Sequence, residues 1–277
     1  MNRPDPFTIA IAQSSITADV ATNGTEICQL VKEAAQRQVR LILFPEGALS
    51  GYAKAHLSHP DQFDHVEIRN QLARICAKAA EHEIWVVVGG CHEIEGTNRP
   101  HNCQYVISDK GDIVARNDKI YISHTELEDW YTPGEPDPIT VEIDGFKFGF
   151  AICIEATMPH HFQKLEELEI DCVLYSSMAN TNLFETLLRG HAAAFTYWIA
   201  VSELEQLNQK FSSMLIDPNG NVECSAKSNG DKLLVATLDR TDKRYDIQLR
   251  LAKPWRRKAR KGDIYRAKRI GKHDDRF

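Results

Sequence analysis

Apolar positions along the chain alternate between short continuous runs and segments in which they recur at helical spacing. The run "FTIAIAQ" (residues 7–13) reads as a buried strand. "DVATNGTEICQLVKEAAQRQ" follows, with Ile27, Leu30, Val31, Ala34 and Ala35 on one helical face. "VRLILFPE" predicts a second buried strand, cut at Pro45. "RNQLARICAKAAEHE" predicts a second amphipathic helix and "IWVVVGG" a third strand. Two more strand-like runs, "NCQYVIS" and "DIVARND", flank the turn signal "DKGD".

The second half repeats this style. "PITVEI" and "FKFGFAIC" flank "DG", a strong short hairpin signal. A helical stretch near "HFQKLEELE" leads to the strand-like "DCVLYSS". "LFETLLRGHAAAFTYW" reads as a helix and "WIAVSE" as a strand. "KFSSMLIDPNGNVECSA" reads as a hairpin and "KLLVATLD" as the last strand. Helices alternating with buried strands, several joined by hairpins, predict an α/β protein with mixed sheets and helices outside. No low-complexity linker interrupts the pattern, so residues 1–277 are expected to form one domain.

Composition narrows the class. No apolar run approaches the roughly 18 residues of a membrane span. The opening "MNRPDPFTIAIAQ" is too short in its apolar part for a signal peptide. The seven cysteines are odd in number and form no CxxC pair. Free thiols in a reducing cytoplasm fit that better than a disulfide framework. The histidines show no metal-site spacing, since "PHH" is adjacent rather than i, i+4. Neither a metal nor an organic cofactor is expected.

Charge is uneven. The net charge is −6, yet residues 240–277 carry 15 Lys/Arg against 5 Asp/Glu, a local balance of +10. The basic stretch "KPWRRKARKGDIYRAKRIGK" could suggest nucleic acid. No nucleic-acid motif accompanies it. The segment from about residue 240 is therefore expected to pack on the acidic body or on a partner subunit, its charges punctuated by Leu249, Leu251, Trp255, Ile264, Tyr265 and Ile270.

Three polar residues end strand-like runs: Glu46 in "LILFPEGALSGY", Lys119 in "DIVARNDKIY" and Cys153 in "FKFGFAICIE". Ligands gather outside strand ends in open α/β sheets. If these side chains converge there, their chemistry fits together. A free thiol has a pKa near 8.5 and is mostly protonated at neutral pH. A carboxylate with a raised pKa can take that proton and return it to a leaving amine. A lysine ammonium can stabilise the oxyanion on an attacked carbonyl, and so can the backbone N–H of Ile154. Taken singly, each residue has a plain alternative: a loop acid, a solvated turn lysine, a core thiol.

At these residues the chain resembles the nitrilase, or carbon–nitrogen hydrolase, superfamily. "FPEGALSGY" is similar to the family's F-P-E motif followed by G-Y. "RNDKIYIS" looks like its lysine strand end, and "GFAICIE" resembles G-x-x-I-C-x-[DE]. The resemblance runs from "IAIAQ" through "LIDPNGNV", similar to I-x-D-P-x-G, to "RRKARKGDIY". It implies a Glu46–Lys119–Cys153 triad, a four-layer αββα sandwich with two mixed β-sheets, and a homodimer or larger assembly. It also implies a second glutamate between the lysine and the cysteine. Glu128 in "ELEDWYTPGE" is favoured because that glutamate typically lies a few residues before P-G; Glu126 is the competitor. Tyr52, Ser177 and Met178 would be substrate-binding walls by family position, although Met178 could equally be core. Glu155 is expected to accept backbone hydrogen bonds where strand turns into helix rather than to polarise the site. Two departures blur the subfamily: "RGHAAAFTYW" replaces the usual R-A-x-E-N helix, and Ile154 replaces the usual aromatic residue after the cysteine.

The expected activity is amide hydrolysis to acid and ammonia through a thioester, on a small molecule and in the amidase-like branch of that superfamily. Hydrolysis of an N-carbamoyl compound or a nitrile would use the same triad. The alternative of a different class is a catalytically silent binding protein that uses the basic tail. No membrane partner is expected.

Overall fold

Pairs of hydrophobic faces organise the chain into two six-stranded sheets. The computed structural model describes residues 6–207, 209–226, 232–266 and 268–269. The first half runs β1 (Phe7–Ala12), α1 (Val20–Gln36), β2 (Leu41–Leu43), α2 (His65–Glu81), β3 (Trp85–His92), β4 (His101–Ile107), β5 (Ile113–Asp118) and α3 (His124–Asp129). The second runs β6 (Thr140–Ile143), β7 (Phe146–Ile152), α4 (Pro159–Glu167), β8 (Cys172–Ser176), α5 (Leu183–Phe195), β9 (Trp198–Ser202), β10 (Met214–Ile216), β11 (Val222–Ser225) and β12 (Leu233–Leu238). Near the end come α6 (Lys253–Arg260) and α7 (Asp263–Arg266).

Strand order is β12-β1-β2-β3-β4-β5 in one sheet and β11-β10-β9-β8-β7-β6 in the other. β1, β2 and β3 are parallel neighbours, as are β7, β8 and β9, and the outer pairings are antiparallel. Both sheets are thus mixed and share one topology. Local chemistry starts and stops the elements. Asp19 accepts from the Thr22 N–H at 2.7 Å and Asp64 from the Glu67 N–H at 2.9 Å, so α1 and α2 each begin on a carboxylate cap. The β6–β7 hairpin turns on Asp144 and Gly145, both with positive φ, as the Asp-Gly signal predicts. Thr196 is left-handed at φ +59° and ends α5, so "TYW" leaves the helix earlier than its pattern predicts and Trp198 opens β9.

Burial divides into three apolar layers. Ile9, Ile11, Leu41, Leu43 and Val87 meet Phe146, Phe148, Phe150, Leu174 and Trp198 between the two sheets. The opposite face of the first sheet packs on Ile27, Leu30, Val31, Ile68, Leu72 and Ile75 of α1 and α2. The outer face of the second sheet packs on Phe162, Leu165, Leu188 and Ala192 of α4 and α5. The architecture is the four-layer αββα sandwich. Strand residues alternate between the two layers, Ile9 and Ile11 inward and Ala10 and Ala12 outward, as period-two geometry requires.

Four basic side chains of the C-terminal segment turn toward the body. Lys253 Nζ donates to the Ile170 carbonyl at 2.9 Å and Arg256 to the Ala193 carbonyl at 2.6 Å. Arg257 and Arg260 pair with the buried Glu166 at 3.1 and 2.6 Å. Leu249 packs against the inter-sheet layer. Leu251, Trp255 and Tyr265, expected as anchors, are exposed, as is Ile247. Ile270 lies outside the described residues.

Candidate functional site

The C-terminal ends of β2 and β7, together with the end of β5, open onto one edge of the seam between the sheets. Glu46 leaves β2 through Phe44 and Pro45. This turn lies directly on Gly89 of β3: a Cβ there would sit 2.1 Å from the Pro45 carbonyl and 3.0 Å from the Glu46 Cα. Glycine is what lets the turn approach the neighbouring strand. The Leu49 N–H donates to the Gly89 carbonyl at 2.9 Å and closes it. Glu46 ends up fully buried.

Its two carboxylate oxygens are treated differently. Oε1 accepts from Lys119 Nζ at 2.7 Å and from Asn102 Nδ2 at 2.7 Å. Oε2 is buried and has no partner among the described residues. Burial pushes the Glu46 carboxyl above its ordinary pKa; Lys119 and Asn102 oppose that, and Glu126 adds to it.

Lys119 follows β5 and is also fully buried. Its backbone is held on both sides, N–H to the Asn102 carbonyl at 2.8 Å and C=O from the Gly134 N–H at 2.9 Å. Burial alone would lower its pKa, but Glu46, Cys153 and Glu126 outweigh burial and raise it, so the amine is an ammonium.

The second carboxylate on Lys119 belongs to Glu126. Both of its oxygens lie 3.2 Å from Nζ. Tyr52 Oη donates to Glu126 at 2.8 Å and Ser123 Oγ at 2.6 Å. Burial works against its charge, but Lys119 and these hydroxyls prevail and hold its pKa below the ordinary carboxylate value. Glu128, favoured from the sequence, sits two residues along α3 on the outer face, 3.4 Å from His124, with its side chain 57% exposed. A helix turns about 200° over two residues, so the two acids cannot face the same way.

Cys153 ends β7 in a left-handed conformation, φ +48°, which is strained for a residue with a Cβ. The turn is held from beneath by Glu155. One Glu155 oxygen accepts the Ile152 N–H at 2.7 Å, and the other accepts the N–H groups of Ile120 and Tyr121 at 2.8 and 3.1 Å. Glu155 therefore fastens the lysine's strand end to the cysteine's turn, the structural part expected for it. Tyr175 Oη donates to the Cys153 carbonyl at 2.6 Å. Sγ faces the Met178 carbonyl at 3.9 Å. Burial pushes the thiol pKa well up; Glu46 and Glu126 add to this and Lys119 opposes it, so the sulfur shares one electrostatic environment with all three. Ile154 follows directly and is half-buried, while Ser177 is fully buried.

The sequence profile of the carbon–nitrogen hydrolase family matches residues 8–245. The chain belongs to the carbon–nitrogen hydrolase family. It is 28% identical over 256 residues to the deaminated glutathione amidase of Rattus norvegicus, spanning 83% of this chain and 76% of that protein. An amidase from Nesterenkonia sp. shares the fold at a TM-score of 0.73 and 18% identity, over 90% of this chain and 96% of the amidase. The glutamine-dependent NAD+ synthetase of Acinetobacter baumannii does so at a TM-score of 0.71 and 20% identity, with 85% of this chain covering 46% of the synthetase. The protein is accordingly a hydrolase of carbon–nitrogen bonds.

In this carbon–nitrogen hydrolase the structure brings Glu46, Lys119 and Cys153 together, with Tyr52 and Met178 beside them, and leaves Glu128 outside. Two nearby polar residues escape the sequence reading. Asn102 has no motif. Glu203 does have a signal, because it ends the strand-like run "WIAVSE" as Glu46 ends "LILFPE". Among the described residues no group of three His, Cys, Asp or Glu is arranged to hold a metal ion, and no helix is long and apolar enough to cross a membrane.

Proposed function

We propose that the protein hydrolyses a small amide to its acid and ammonia, with Cys153 as nucleophile and Glu46 as general base. The observation that carries this reading is the unpartnered, buried Glu46 Oε2 beside an ammonium-held Oε1. A carboxylate fixed through one oxygen and open at the other, with its pKa raised, is suited to accept a proton and give it back.

Glu46 takes the thiol proton as sulfur bonds to the amide carbon. Lys119 Nζ and the Ile154 N–H receive the developing oxyanion; one such donor is worth roughly 3–4 kcal/mol of barrier. Glu46 then passes the proton to the leaving nitrogen, the C–N bond breaks and ammonia departs from a thioester. Water gives a proton to Glu46 and attacks the thioester carbon. The acid leaves and the proton returns to sulfur. Glu126 holds the ammonium in place and Tyr52 holds Glu126. A cysteine nucleophile is also supported by analogy. One solved form of the Nesterenkonia amidase, 17% identical with a TM-score of 0.73, carries the acetamide moiety of fluoroacetamide on its active-site cysteine.

The test is a mass-spectrometric screen of amides, ureido acids and nitriles with the intact protein, then the same substrates with Cys153→Ala and Glu46→Gln. Ammonia release from an amide, lost in Cys153→Ala, is the expected result. An active Cys153→Ala protein, or an acyl adduct on another cysteine, sinks the mechanism. Turnover confined to ureido acids or nitriles keeps the triad and overturns the amide assignment.

A further inference from the structure

The steps above leave one buried carboxyl beside Cys153 without a part. Glu203 follows β9 and is fully buried. Its Oε2 accepts the Ala179 N–H at 2.9 Å and its Oε1 the Leu204 N–H at 2.9 Å. Ala179 follows Met178, whose carbonyl faces Cys153 Sγ at 3.9 Å. The Met178 C=O and the Ala179 N–H belong to one planar trans peptide, in which the two groups point in opposite directions. A carboxyl gripping the N–H on one side therefore aims the carbonyl on the other. The line runs Glu203, peptide plane, sulfur.

A second link reaches the backbone of the same cysteine. Tyr175 donates to the Cys153 carbonyl at 2.6 Å. Ser177 lies two residues along, on the same side of the extended chain. Its hydroxyl is buried beside both the Tyr175 phenol and the Glu203 carboxyl and lowers the pKa of each, while forming no hydrogen bond of good geometry. Among the described residues no cation pairs with Glu203; burying such a carboxyl is costly, and a neutral side chain would clamp a loop at less expense. Burial raises the Glu203 pKa and Glu46 adds to that rise.

We infer that Glu203 is a positioning residue for the reacting thiol, holding the Met178–Ala179 peptide against Sγ and steadying the Tyr175 contact to the Cys153 carbonyl. The inference rests on Cys153 being the nucleophile. It acts through the Met178–Ala179 peptide on the attack geometry, so its loss falls on kcat.

The experiment compares Glu203→Gln, Glu203→Asp and Tyr175→Phe by steady-state kinetics, thermal unfolding and the rate of Cys153 alkylation by iodoacetamide. Gln supplies a single oxygen for two N–H groups. The expected result for folded Glu203→Gln is a kcat reduced about tenfold or more with KM within about twofold of the parent. The alkylation rate should change too, and Glu203→Asp should recover part of both. Tyr175→Phe should move the same two readouts in the same direction. Unchanged kcat and alkylation in folded Glu203→Gln overturn the inference, as does a loss matching only the unfolded fraction. Should the Glu203 variants fail to fold, unchanged readouts in Tyr175→Phe overturn it. Failure of the parent reading looks different: turnover then survives Cys153→Ala, whereas a required Cys153 with an indifferent Glu203 sinks the positioning role alone.

Discussion

Glu46 and Lys119 meet at 2.7 Å with both side chains wholly excluded from solvent. The pair is completed by Glu126, also against Nζ. One ammonium thus compensates two buried carboxylates. Lys119→Met keeps the apolar stem and strips both acids of their cation. It is expected to abolish activity and to lower the unfolding free energy by about 3–5 kcal/mol, the usual cost of orphaning a buried charge. Chemical denaturation of the variant checks it, and a loss below about 1 kcal/mol shows that the two carboxylates take up protons without strain.

Glu126 and Glu128 give opposite expectations. Glu126→Gln removes the charge that steadies Lys119 and should lower kcat/KM by roughly 10²-fold or more. Glu128→Gln alters a solvated pair with His124 and should leave stability within about 0.5 kcal/mol and activity unchanged. Parallel kinetics on the two variants decide between the acids; the reverse pattern would hand the part back to Glu128.

Gly89 supports Glu46 from the adjacent strand. Gly89→Ala forces a methyl into the Pro45 carbonyl, to which a Cβ would come within 2.1 Å, and neither backbone can give way cheaply. The variant should lose roughly 1–3 kcal/mol through overpacking, with activity falling further than stability because the displaced turn carries the proposed base. Thermal unfolding and kinetics on one preparation measure both. Wild-type turnover would mean that the turn relaxes without moving Glu46.

Glu203 provides a pH signature. Burial pushes its carboxyl from the usual 4.5 up to about 8, against the pull of its Leu204 and Ala179 hydrogen bonds. The folded protein then binds this proton more tightly than the unfolded chain does. The associated stability is present in full below the unfolded pKa and is lost as pH rises through the folded one. Glu203→Gln does not titrate. The stability of the parent relative to this variant should therefore decline between about pH 4.5 and about pH 8 and level off above. Urea unfolding of both proteins across that range is the measurement, and a flat difference excludes a raised pKa.

Glu166 ties the basic segment down. Its buried carboxylate faces Arg257 and Arg260. Replacing both arginines by Ala should destabilise the protein by about 3 kcal/mol, and deleting residues from Lys253 onward should do at least as much. Melting curves that do not move would separate the tail from the stability of the body.

Much of this arrangement is legible in the chain. Strand ends carry Glu46, Lys119 and Cys153 because a buried strand must finish in polar residues where it leaves the core, and Asp144–Gly145 announces its hairpin through the φ values it needs. Glu126 was legible in another register. "SHTE" has the spacing by which an acid reaches back to the start of a short helix, and the Glu126 carboxylate does accept the Ser123 N–H at 3.1 Å. Distance to Pro-Gly points instead to Glu128, which lies on the exposed face of α3. The Glu203–Ala179 contact could not be read at all, since nothing local says which strand end will lie against which peptide. The apolar anchors of the tail are hard to read for a related reason: Lys253, Arg256, Arg257 and Arg260 have acidic partners and carbonyls far away in sequence, so the inward face of α6 is the basic one.

Glu46 and Lys119 extend from the first sheet and Cys153 from the second, with Glu155 fastening the two ends across the seam. If these three residues carry the reaction as proposed, reactivity is a property of closure. In a chain whose sheets are apart, Cys153 would be an ordinary thiol, far from Glu46, its proposed base, and from the Lys119 ammonium. On the proposed mechanism, a molecule whose two sheets have parted should be mute toward the bonds that its closed form cleaves.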